Sequence, residues 1–438
     1  MEVPVALPPE LIQLALLDQR EENTTPQDYF ARENEEKLIE LAKNKEIIII
    51  TGVRRSGKSV LLHRYRKQAK ETDYYFHFED ERLAQFSIED FQVLQQIFVE
   101  LYGIQKTYYF DEIQNIPGWE KFVRRLYNNG NKIFITGSNA NLFSKELGTH
   151  LTGRYITLKV YPLSFYEFVN HNKPELISEK NLSTLQIGQI KRLFNEYSRV
   201  GGIPEYVKIL NQDYLHSLYE SIIYRDIIVK YKLTGDRVIK SLVFYLASNC
   251  SKAITYNSLK KYLGLGSATT VADYCSYLES SYLCFFINRY SDSLKVQVLS
   301  PKKVYFIDPV LAKIVGFRVS EDAGRMLENI VFLELKRRHY DIYYHHGKKE
   351  CDFVLRKNNQ IVGLLQVCKT VASIATKKRE LEGLTEALAQ YQLMEGYILT
   401  ENESATKTIQ QDGKKYKIIT MPVWKWLIQK EPPSSMMR

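Results

Sequence analysis

The segment EIIIITGVRRSGKSVLLHRYRKQAK, residues 46–70, decides the fold of the N-terminal half of the chain. It opens with a short isoleucine run, which is typical of a strand buried on both faces of a parallel sheet. GVRRSGKS then matches the pattern G-x-x-x-x-G-K-[ST] in full, and an amphipathic helix pattern follows it directly. A strand, this loop and a helix in that order predict a phosphate-binding P-loop. The alternative is an ordinary strand-to-helix turn that contains glycine.

The loop chemistry predicts that ATP and Mg²⁺ bind here. Backbone N–H groups of the loop wrap phosphate oxygens, Lys58 reaches the β- and γ-phosphates, and Ser59 binds Mg²⁺ at a helix N-terminus. The predicted nucleotide-binding residues are Gly52, Val53, Arg54, Arg55, Ser56, Gly57, Lys58, Ser59 and Val60. The two arginines contact either phosphate or an acidic neighbour among Glu79, Asp80 and Glu81, and the sequence does not decide between these.

A second motif, YYFDEIQ at residues 108–114, is an apolar strand that ends in two acids. This is the Walker B arrangement, in which Asp111 lies behind Mg²⁺ and Glu112 acts as the general base for the attacking water. The motif is weak by itself and becomes specific because it follows the P-loop at a suitable distance. A further strand, YYFHFED, lies between the two motifs along the chain and indicates the additional-strand class of P-loop ATPases.

Two further polar positions are candidates for catalysis. The strand KIFITGSNA ends in Ser138 and Asn139, which we expect to orient the attacking water near the γ-phosphate. The alternative for Ser138 is a helix N-cap. Arg154 in LTGRY is a candidate arginine finger that acts in cis or in trans. Its alternative is a solvated surface arginine.

The order of apolar runs predicts an α/β core in the N-terminal part of the chain, followed by segments with different folds. Strands are predicted at Glu46–Thr51, Asp73–His77, Thr107–Phe110 and Lys132–Thr136, with helices between them. The predicted divisions are an N-terminal helical segment (1–34), an ATPase domain (35–170), a helical lid or linker (171–235), a winged-helix segment (236–310) and a C-terminal α/β domain (321–430).

Composition limits the classes of protein. The 438 residues are 45% hydrophobic and 25% charged, as in ordinary globular chains. The longest aliphatic run is Ile47–Ile50, so no membrane span is expected, and no signal peptide is predicted. Five scattered cysteines argue against a disulfide framework and fit a cytoplasmic location. A net charge of +9 permits a nucleic-acid partner without specifying one.

Seven short motifs follow one another in the order of a known family. They are GVRRSGKS, HFEDER, YYFDEIQ, ITGSNA, LTGR, YPLSFYEF and VGGIPEYV. In this respect the chain resembles, over about residues 35–400, an archaeal and bacterial family of AAA-type ATPases with a C-terminal domain of unknown function. The resemblance implies an AAA-like ATPase core, a winged-helix middle segment and a restriction-endonuclease-like C-terminal domain.

The middle segment also reads as helix-turn-helix from its own residues. A short helix at Thr255–Tyr262, a glycine-containing turn and a helix from Ser267 to about Glu279 predict it. Strands at Tyr282–Arg289, Val296–Leu299 and Lys303–Ile307 are predicted as wings. The second helix carries no lysine or arginine, so DNA contact is expected mainly at phosphates. The candidates for it are Lys260, Lys261, Arg289 and Lys295. The alternative is a winged helix that only packs domains together.

The C-terminal segment resembles the nuclease signature D-x(n)-[DE]-x-K, with Glu328 on a preceding helix. Asp352 in ECDFVL matches the aspartate. In LLQVCK, Gln366 stands at the second acid and Cys368 at the lysine. Because alternate strand residues share a face, Lys369 is expected to point away from them. The sequence therefore predicts a degenerate nuclease-like site without DNA cleavage.

Three functional hypotheses follow from these patterns. The first is an ATP-hydrolysing AAA-type machine that acts on or alongside DNA, and that forms a homo-oligomer if Arg154 acts in trans. The second is a nucleotide-dependent switch or scaffold that binds protein partners. The third is an ATP-regulated nuclease.

Overall fold

The computed structural model describes residues 7–22, 28–138, 151–178, 181–317, 323–411 and 413–429. The chain divides into two compact units. Unit 1 is Met1–Val160 together with Ser280–Tyr282, and unit 2 is Tyr161–Glu279 together with Leu283–Arg438. Within the described residues, no helix is long and apolar enough to cross a membrane.

Unit 1 is an α/β layer structure around a parallel sheet. Its described strands are β1 (Ile47–Thr51), β2 (Tyr75–His77), β3 (Thr107–Asp111), β4 (Lys132–Gly137) and β5 (Tyr155–Lys159). Its described helices are α1 (Pro9–Glu22), α2 (Asn34–Ala42), α3 (Lys58–Gln68), α4 (Asp90–Tyr102) and α5 (Trp119–Asn128), with 3-10 turns at Glu81–Leu83 and Ile113–Asn115. The predicted α/β fold with a parallel P-loop sheet is therefore confirmed.

The sheet order is β2-β3-β4-β1-β5. In space, β4 separates the P-loop strand β1 from the Asp-Glu strand β3, whereas β2 lies at the edge. The prediction that YYFHFED is the additional strand is therefore wrong. The strand inserted between the two motifs is KIFITG, which comes later in the chain. Strand β5 was not predicted, because only one of its residues is fully buried.

The isoleucine run is buried because the two faces of β1 join different cores. Ile47 and Ile49 pack into the core on the side of α1, α4 and α5, while Ile48 and Ile50 pack with Leu61 of α3 on the other side. Alternate strand residues point to opposite faces. A continuous apolar run is therefore what a sheet covered on both sides requires.

Helix α1 lies beside the edge strand β2. The amide side chain of Gln19 donates to the His77 carbonyl at 3.0 Å and accepts from the His77 N–H at 2.9 Å. Arg82 bridges Asp80 and Asp18 of α1. These contacts satisfy backbone groups that an edge strand would otherwise expose.

Unit 2 begins with helices and contains two sheets. Its described helices are α6 (Phe165–Asn172), α7 (Glu175–Ser178), α8 (Thr184–Val200), α9 (Pro204–Ile209), α10 (Gln212–Ser221), which continues as a π-helical stretch (Ile222–Val229), α11 (Arg237–Ser248), α12 (Tyr256–Leu263), α13 (Ala268–Ser280), α14 (Leu294–Leu299), α15 (Pro309–Val315), α16 (Ala323–Arg337), α17 (Ile374–Tyr391) and α18 (Val423–Ile428). Its described strands are β6 (Ala253–Ile254), β7 (Cys284–Asn288), β8 (Lys302–Phe306), β9 (Asp341–His346), β10 (Glu350–Lys357), β11 (Gln360–Val367), β12 (Glu395–Thr400), β13 (Ala405–Gln411) and β14 (Lys414–Pro422).

The smaller sheet has the order β6-β8-β7 and is antiparallel. The larger one has the order β13-β14-β12-β11-β10-β9 and is mixed, with β12 parallel to both neighbours. Leu384 and Leu388 of α17 pack on its apolar face together with Val354, Leu364 and Ile398. The C-terminal segment is thus α/β, as predicted.

The predicted strand at Val296–Leu299 is wrong, because these residues belong to helix α14. Two valines favoured a strand on propensity. The Ser293 hydroxyl accepts from the Val296 N–H and caps a helix instead. Helix α7 lies within residues 171–235, which were predicted as a helical lid or linker, and its Leu176 is buried.

The motifs YPLSFYEF and VGGIPEYV meet in unit 2. The Leu163 N–H donates to the Gly202 carbonyl at 2.7 Å, and the Tyr197 hydroxyl donates to the Leu163 carbonyl at 2.8 Å. The Gly202 N–H donates to the buried Asp308 carboxylate at 2.7 Å. Backbone groups therefore approach closely here, which explains two adjacent glycines without any catalytic role.

Candidate functional site

The P-loop joins the carboxyl end of β1 to the N-terminus of α3. A Cβ atom at Gly52 would lie 2.0 Å from the Val160 carbonyl oxygen, so only glycine fits there. Gly57 has φ 94° at the position before α3, a conformation that glycine adopts without strain. The Ser56 side chain is buried, and its hydroxyl has no hydrogen-bond partner among the described residues.

Lys58 is the first residue of α3 and is 4% exposed. Its ammonium donates to the Val53 carbonyl at 3.2 Å and lies 3.7 Å from Glu112 Oε1. The structure thus brings together the two side chains that the sequence assigned to phosphate binding and to water activation. The contact with Val53 holds the positive charge of this lysine against the loop.

Ser59 and Asp111 are in direct contact. The Ser59 hydroxyl donates to Asp111 Oδ1 at 3.0 Å, and the Tyr75 hydroxyl donates to Asp111 Oδ2 at 3.1 Å. Asp111 is 2% exposed, so its carboxylate depends on these donors. Both residues predicted to hold Mg²⁺ therefore lie at one point, at the carboxyl edge of the sheet.

Thr136 is a member of this cluster that the sequence analysis missed. Its hydroxyl donates to Asp111 Oδ1 and accepts from the Glu112 N–H at 3.1 Å. The residue lies in β4, two positions before Ser138. A signal was present in the sequence, because the polar Thr136 interrupts the apolar pattern of β4. Only the sheet order shows that β4 lies next to β3, which carries Asp111.

Glu112 follows β3 with φ 54° and ψ 36°, a left-handed conformation that is uncommon for a residue other than glycine. Such conformations persist where surrounding contacts fix them, and they concentrate at functional sites. Burial raises the pKa of the Glu112 carboxyl above its usual value, and the nearby Lys58 ammonium opposes that rise. Gln114 donates from its amide to Glu112 Oε2. A raised pKa suits a group that takes up a proton.

The arginine pair in the loop separates into two environments. The Arg54 guanidinium contacts both oxygens of Glu79, at 2.9 and 3.2 Å. Arg55 is exposed. Glu79 is one of the acidic partners that the sequence left open for the pair, and Arg54 contacts it. A further arginine, Arg32, donates to the Ser56 carbonyl at 2.7 Å and ties the loop to the segment before α2.

The remaining predicted residues are distributed differently. Ser138 is buried at the end of β4, whereas Asn139 lies outside the described residues. Arg154 precedes β5, and its carbonyl accepts from the Ile47 N–H at 2.8 Å. It therefore lies at the start of β1, whereas the P-loop follows the end of that strand. Five residues at about 3.3 Å each separate the two by about 17 Å.

The four residues of the predicted degenerate nuclease-like site all lie in unit 2. Asp352 Oδ2 accepts from the Val367 N–H at 2.9 Å, and the side-chain oxygen Oε1 of Gln366 accepts from the Asp352 N–H at 3.1 Å. Gln366 also donates to Glu380, an acid from α17 that the sequence analysis did not consider. Burial raises the pKa of the Cys368 thiol to about 12, which keeps it neutral at pH 7.

Glu328 is buried on α16, and its burial, together with the neighbouring Asp352, raises the pKa of its carboxyl to about 8. Across the described ranges, no group of three or more His, Cys, Asp or Glu side chains is arranged to hold a metal ion. The five cysteines all lie in these ranges and are buried as free thiols.

The fold of unit 1 and the cluster around Asp111 define a P-loop ATPase domain of the AAA type. In agreement with this, residues 44–169 match a family model described as an AAA domain. Residues 191–320 and 323–424 match two models that are each described as a domain of unknown function, DUF8612 and DUF4143.

An uncharacterized protein of Methanocaldococcus jannaschii is 33% identical over 409 residues, which cover 90% of each chain. An uncharacterized protein of Haemophilus influenzae is 35% identical over 354 residues, or 76% of this chain and 85% of that protein. The chain belongs to the family of these two relatives. Among solved structures, the Walker-type ATPase of Pyrococcus abyssi is similar at a TM-score of 0.43 and 17% identity, over 67% of this chain and 97% of that one.

Proposed function

We propose that the protein binds ATP with Mg²⁺ at the P-loop and hydrolyses it to ADP and phosphate. The observation that supports this best is the convergence of Lys58, Ser59, Asp111 and Glu112 at one edge of the sheet, although they come from two separate motifs. Lys58 contacts the phosphates in this proposal. Glu112, whose pKa burial raises, accepts a proton from the attacking water.

The residues present fit a magnesium ion. A hydroxyl and a carboxylate are hard oxygen ligands of the kind that Mg²⁺ takes, and Ser59 and Asp111 already lie 3.0 Å apart. When bound, the ion neutralises charge on the phosphate oxygens. Thr136 holds Asp111 and the Glu112 backbone in place. The buried Ser56 hydroxyl has a hydrogen-bonding capacity that the described residues leave unused.

The test of ATP binding compares two lysines of α3. Lys58→Ala removes the ammonium at the loop, whereas Lys67→Ala removes an exposed one near the end of the same helix. We expect Lys58→Ala to weaken binding of Mg·ATP at least tenfold by isothermal titration, and Lys67→Ala to leave the Kd unchanged. Equal affinities in a folded Lys58→Ala protein would contradict the proposal.

Arg154 fits an arginine finger in trans better than one in cis, because its own P-loop lies about a strand length away. A second copy of the chain would then supply the arginine, and the active form is an oligomer. A mixture of the Arg154→Ala and Lys58→Ala proteins tests whether the arginine acts in trans.

For unit 2 we propose the finer folds that the sequence indicated. Helices α12 and α13, the turn between them and strands β7 and β8 have the order of a winged helix. Helix α16, the antiparallel strands β9 to β11 and the crossover through α17 to the parallel strand β12 have the order of a restriction-endonuclease-like fold. In both cases the order of the helices and strands along the chain supports the proposed fold.

Two partner classes each have an observation in their favour. For DNA, Lys261 of α12 and Lys295 of α14 are exposed, so both ammonium groups are accessible to phosphates. The exposed side of α13, however, carries Asp273 and Glu279, which repel phosphates. For a protein partner, the apolar side chains Leu294, Val298 and Leu299 of α14 are 66–75% exposed.

The two classes differ in their response to salt. Stimulation of ATP turnover by duplex DNA should fall steeply between 50 and 200 mM salt, because phosphate contacts release counterions. Double substitution of Lys261 and Lys295 by alanine should remove that stimulation. An ATPase indifferent to single-stranded, duplex and branched DNA at low salt would favour the protein-binding switch.

A further inference from the structure

Strand β8 carries a lysine in the interior of unit 2. Lys303 is 2% exposed and lies in the middle strand of the three-stranded sheet, paired with Ala253 on one side and Ile287 on the other. A lysine is rarely buried unless its charge is paired. Neither the P-loop site nor the predicted nuclease-like site includes this residue.

The Lys303 ammonium is surrounded by three carboxylates. Its Nζ lies 3.1 Å from Glu328 Oε1, 2.7 Å from Glu350 Oε1 and 2.8 Å from Asp352 Oδ1. An ammonium has three N–H donors, and each has a carboxyl oxygen as its acceptor here. The lysine therefore uses its full donor capacity on acids.

Other groups hold two of these carboxylates independently of the lysine. The Tyr305 hydroxyl, two positions along β8 from Lys303, donates to Glu328 Oε1 at 2.7 Å. Asp352 Oδ2 accepts the Val367 N–H at 2.9 Å. The third acid, Glu350, is 40% exposed and lies on the solvent side of the cluster. The three acids thus surround one point, and the Lys303 ammonium occupies it.

We propose that the Lys303 ammonium is a built-in cation that takes the place of a divalent metal ion among Glu328, Glu350 and Asp352. The observed separations are those of hydrogen bonds to nitrogen, whereas Mg²⁺ binds oxygens at about 2.0–2.1 Å. The cluster is filled and its charge is partly neutralised, so the native chain has no place there for a metal ion. This inference concerns unit 2 and is independent of ATP hydrolysis.

The lysine and the acids come from different matched segments. Lys303 lies within residues 191–320, and Glu328, Glu350 and Asp352 lie within residues 323–424. One segment therefore supplies the cation that the acids of the other need. Removal of one partner from a buried ion cluster leaves charge uncompensated and destabilises the folded state. The ion cluster accordingly makes the two segments depend on each other for folding.

The experiment measures Mn²⁺ binding to the full chain without nucleotide, by the loss of the free-ion signal in electron paramagnetic resonance. Four proteins are compared: wild type, Lys303→Ala, Glu350→Gln and the double variant. Alanine opens space for a hydrated ion. Glu350 is chosen because its half-exposed side chain tolerates substitution. Any weak binding at the P-loop is common to all four proteins and cancels in the comparison.

We expect Lys303→Ala to gain one Mn²⁺ site with a Kd at least tenfold below that of any site in the wild type, and the double variant to lose it. Wild type and Glu350→Gln should bind the same amount of Mn²⁺. A folded Lys303→Ala protein without the new site would overturn the proposal. If Lys303→Ala does not fold even with Mn²⁺, the comparison of wild type with Glu350→Gln tests the proposal. A Mn²⁺ site that is present in the wild type and lost in Glu350→Gln would overturn the proposal. Equal Mn²⁺ binding by these two proteins would support it.

Discussion

Thr136→Val isolates the hydroxyl that joins the two acids of the P-loop site. Valine has nearly the same shape, so the substitution removes hydrogen bonds without opening a cavity. The Glu112 N–H would lose its acceptor at 3.1 Å, and a buried unsatisfied donor costs about 1–3 kcal/mol. Asp111 keeps its donors Ser59 and Tyr75, so the loss of its contact with Thr136 adds only about 1 kcal/mol. Together we expect a loss of about 2–4 kcal/mol in the free energy of unfolding of unit 1.

The assay needs a signal from unit 1 alone. Trp119 is buried there, and the other two tryptophans, Trp424 and Trp426, lie in unit 2. With these two replaced by phenylalanine in every protein compared, urea unfolding followed by tryptophan fluorescence reports unit 1. ATP turnover is measured on the same proteins. We expect kcat to fall at least tenfold, because a displacement of about 1 Å at a catalytic group is costly.

Thr136→Ser is the matched control, since it keeps the hydroxyl and should stay within about 1 kcal/mol of the wild type. Wild-type stability and turnover in Thr136→Val would contradict this role of the Thr136 hydroxyl. Equal losses in both variants would also refute it, because they would implicate the methyl group.

Three further predictions address assembly, pH and unit 2. Arg154→Ala and Lys58→Ala should each be inactive alone and regain part of the ATP turnover when mixed, whereas no recovery would place the arginine outside the active site. Hydrogen bonds from Arg82 lower the pKa of Asp80 to about 2, so its stabilising contribution is complete above about pH 4 and is lost as the pH falls through 2. In thermal unfolding, Asp80→Asn should therefore be less stable than the wild type at pH 6, with a difference that shrinks towards pH 2, and a constant difference would exclude this origin. Plasmid and branched DNA should stay intact with Mg²⁺ or Mn²⁺, with or without ATP, and cleavage that disappears in Asp352→Ala would restore the nuclease hypothesis.

The fold of unit 1 was largely predictable, because its strands are buried on both faces and their apolar runs stand out. Strand β5 was missed because its exposed side interrupts the run. Strands β13 and β14 were missed for the same reason, since β13 has no fully buried residue. Helix α14 was mistaken for a strand because local capping outweighed the propensity of its valines.

The site was predictable only where a short motif carries it. Lys58 and Glu112 lie in local patterns, so their residue types and spacing were sufficient. Thr136 and Lys303 act through neighbours on other strands, and only the sheet pairing identifies these. Glu380 likewise reaches Gln366 from a helix that follows it in the chain. Long-range contacts of this kind leave no spacing signal in one sequence.

The packing of unit 2 argues against a deletion of the C-terminal segment as a test of its role. Residues 321–438 form part of a single compact unit with 161–279 and 283–320. A chain that ends at residue 320 would lose α16, which contacts β8 through the Asn329 amide and the Phe306 backbone at 2.8 and 2.9 Å. Point substitutions therefore test the C-terminal segment better than its deletion does.

Phosphate release by Glu112→Gln is the decisive test of ATP hydrolysis with Glu112 as the base. Purified wild type and Glu112→Gln are compared at saturating Mg·ATP, and ATP affinity is measured in parallel by titration. We predict that the variant binds ATP as tightly as the wild type and releases phosphate at least a hundredfold more slowly, since base catalysis contributes about 10²–10⁴-fold to the rate. Wild-type phosphate release by Glu112→Gln would contradict the account.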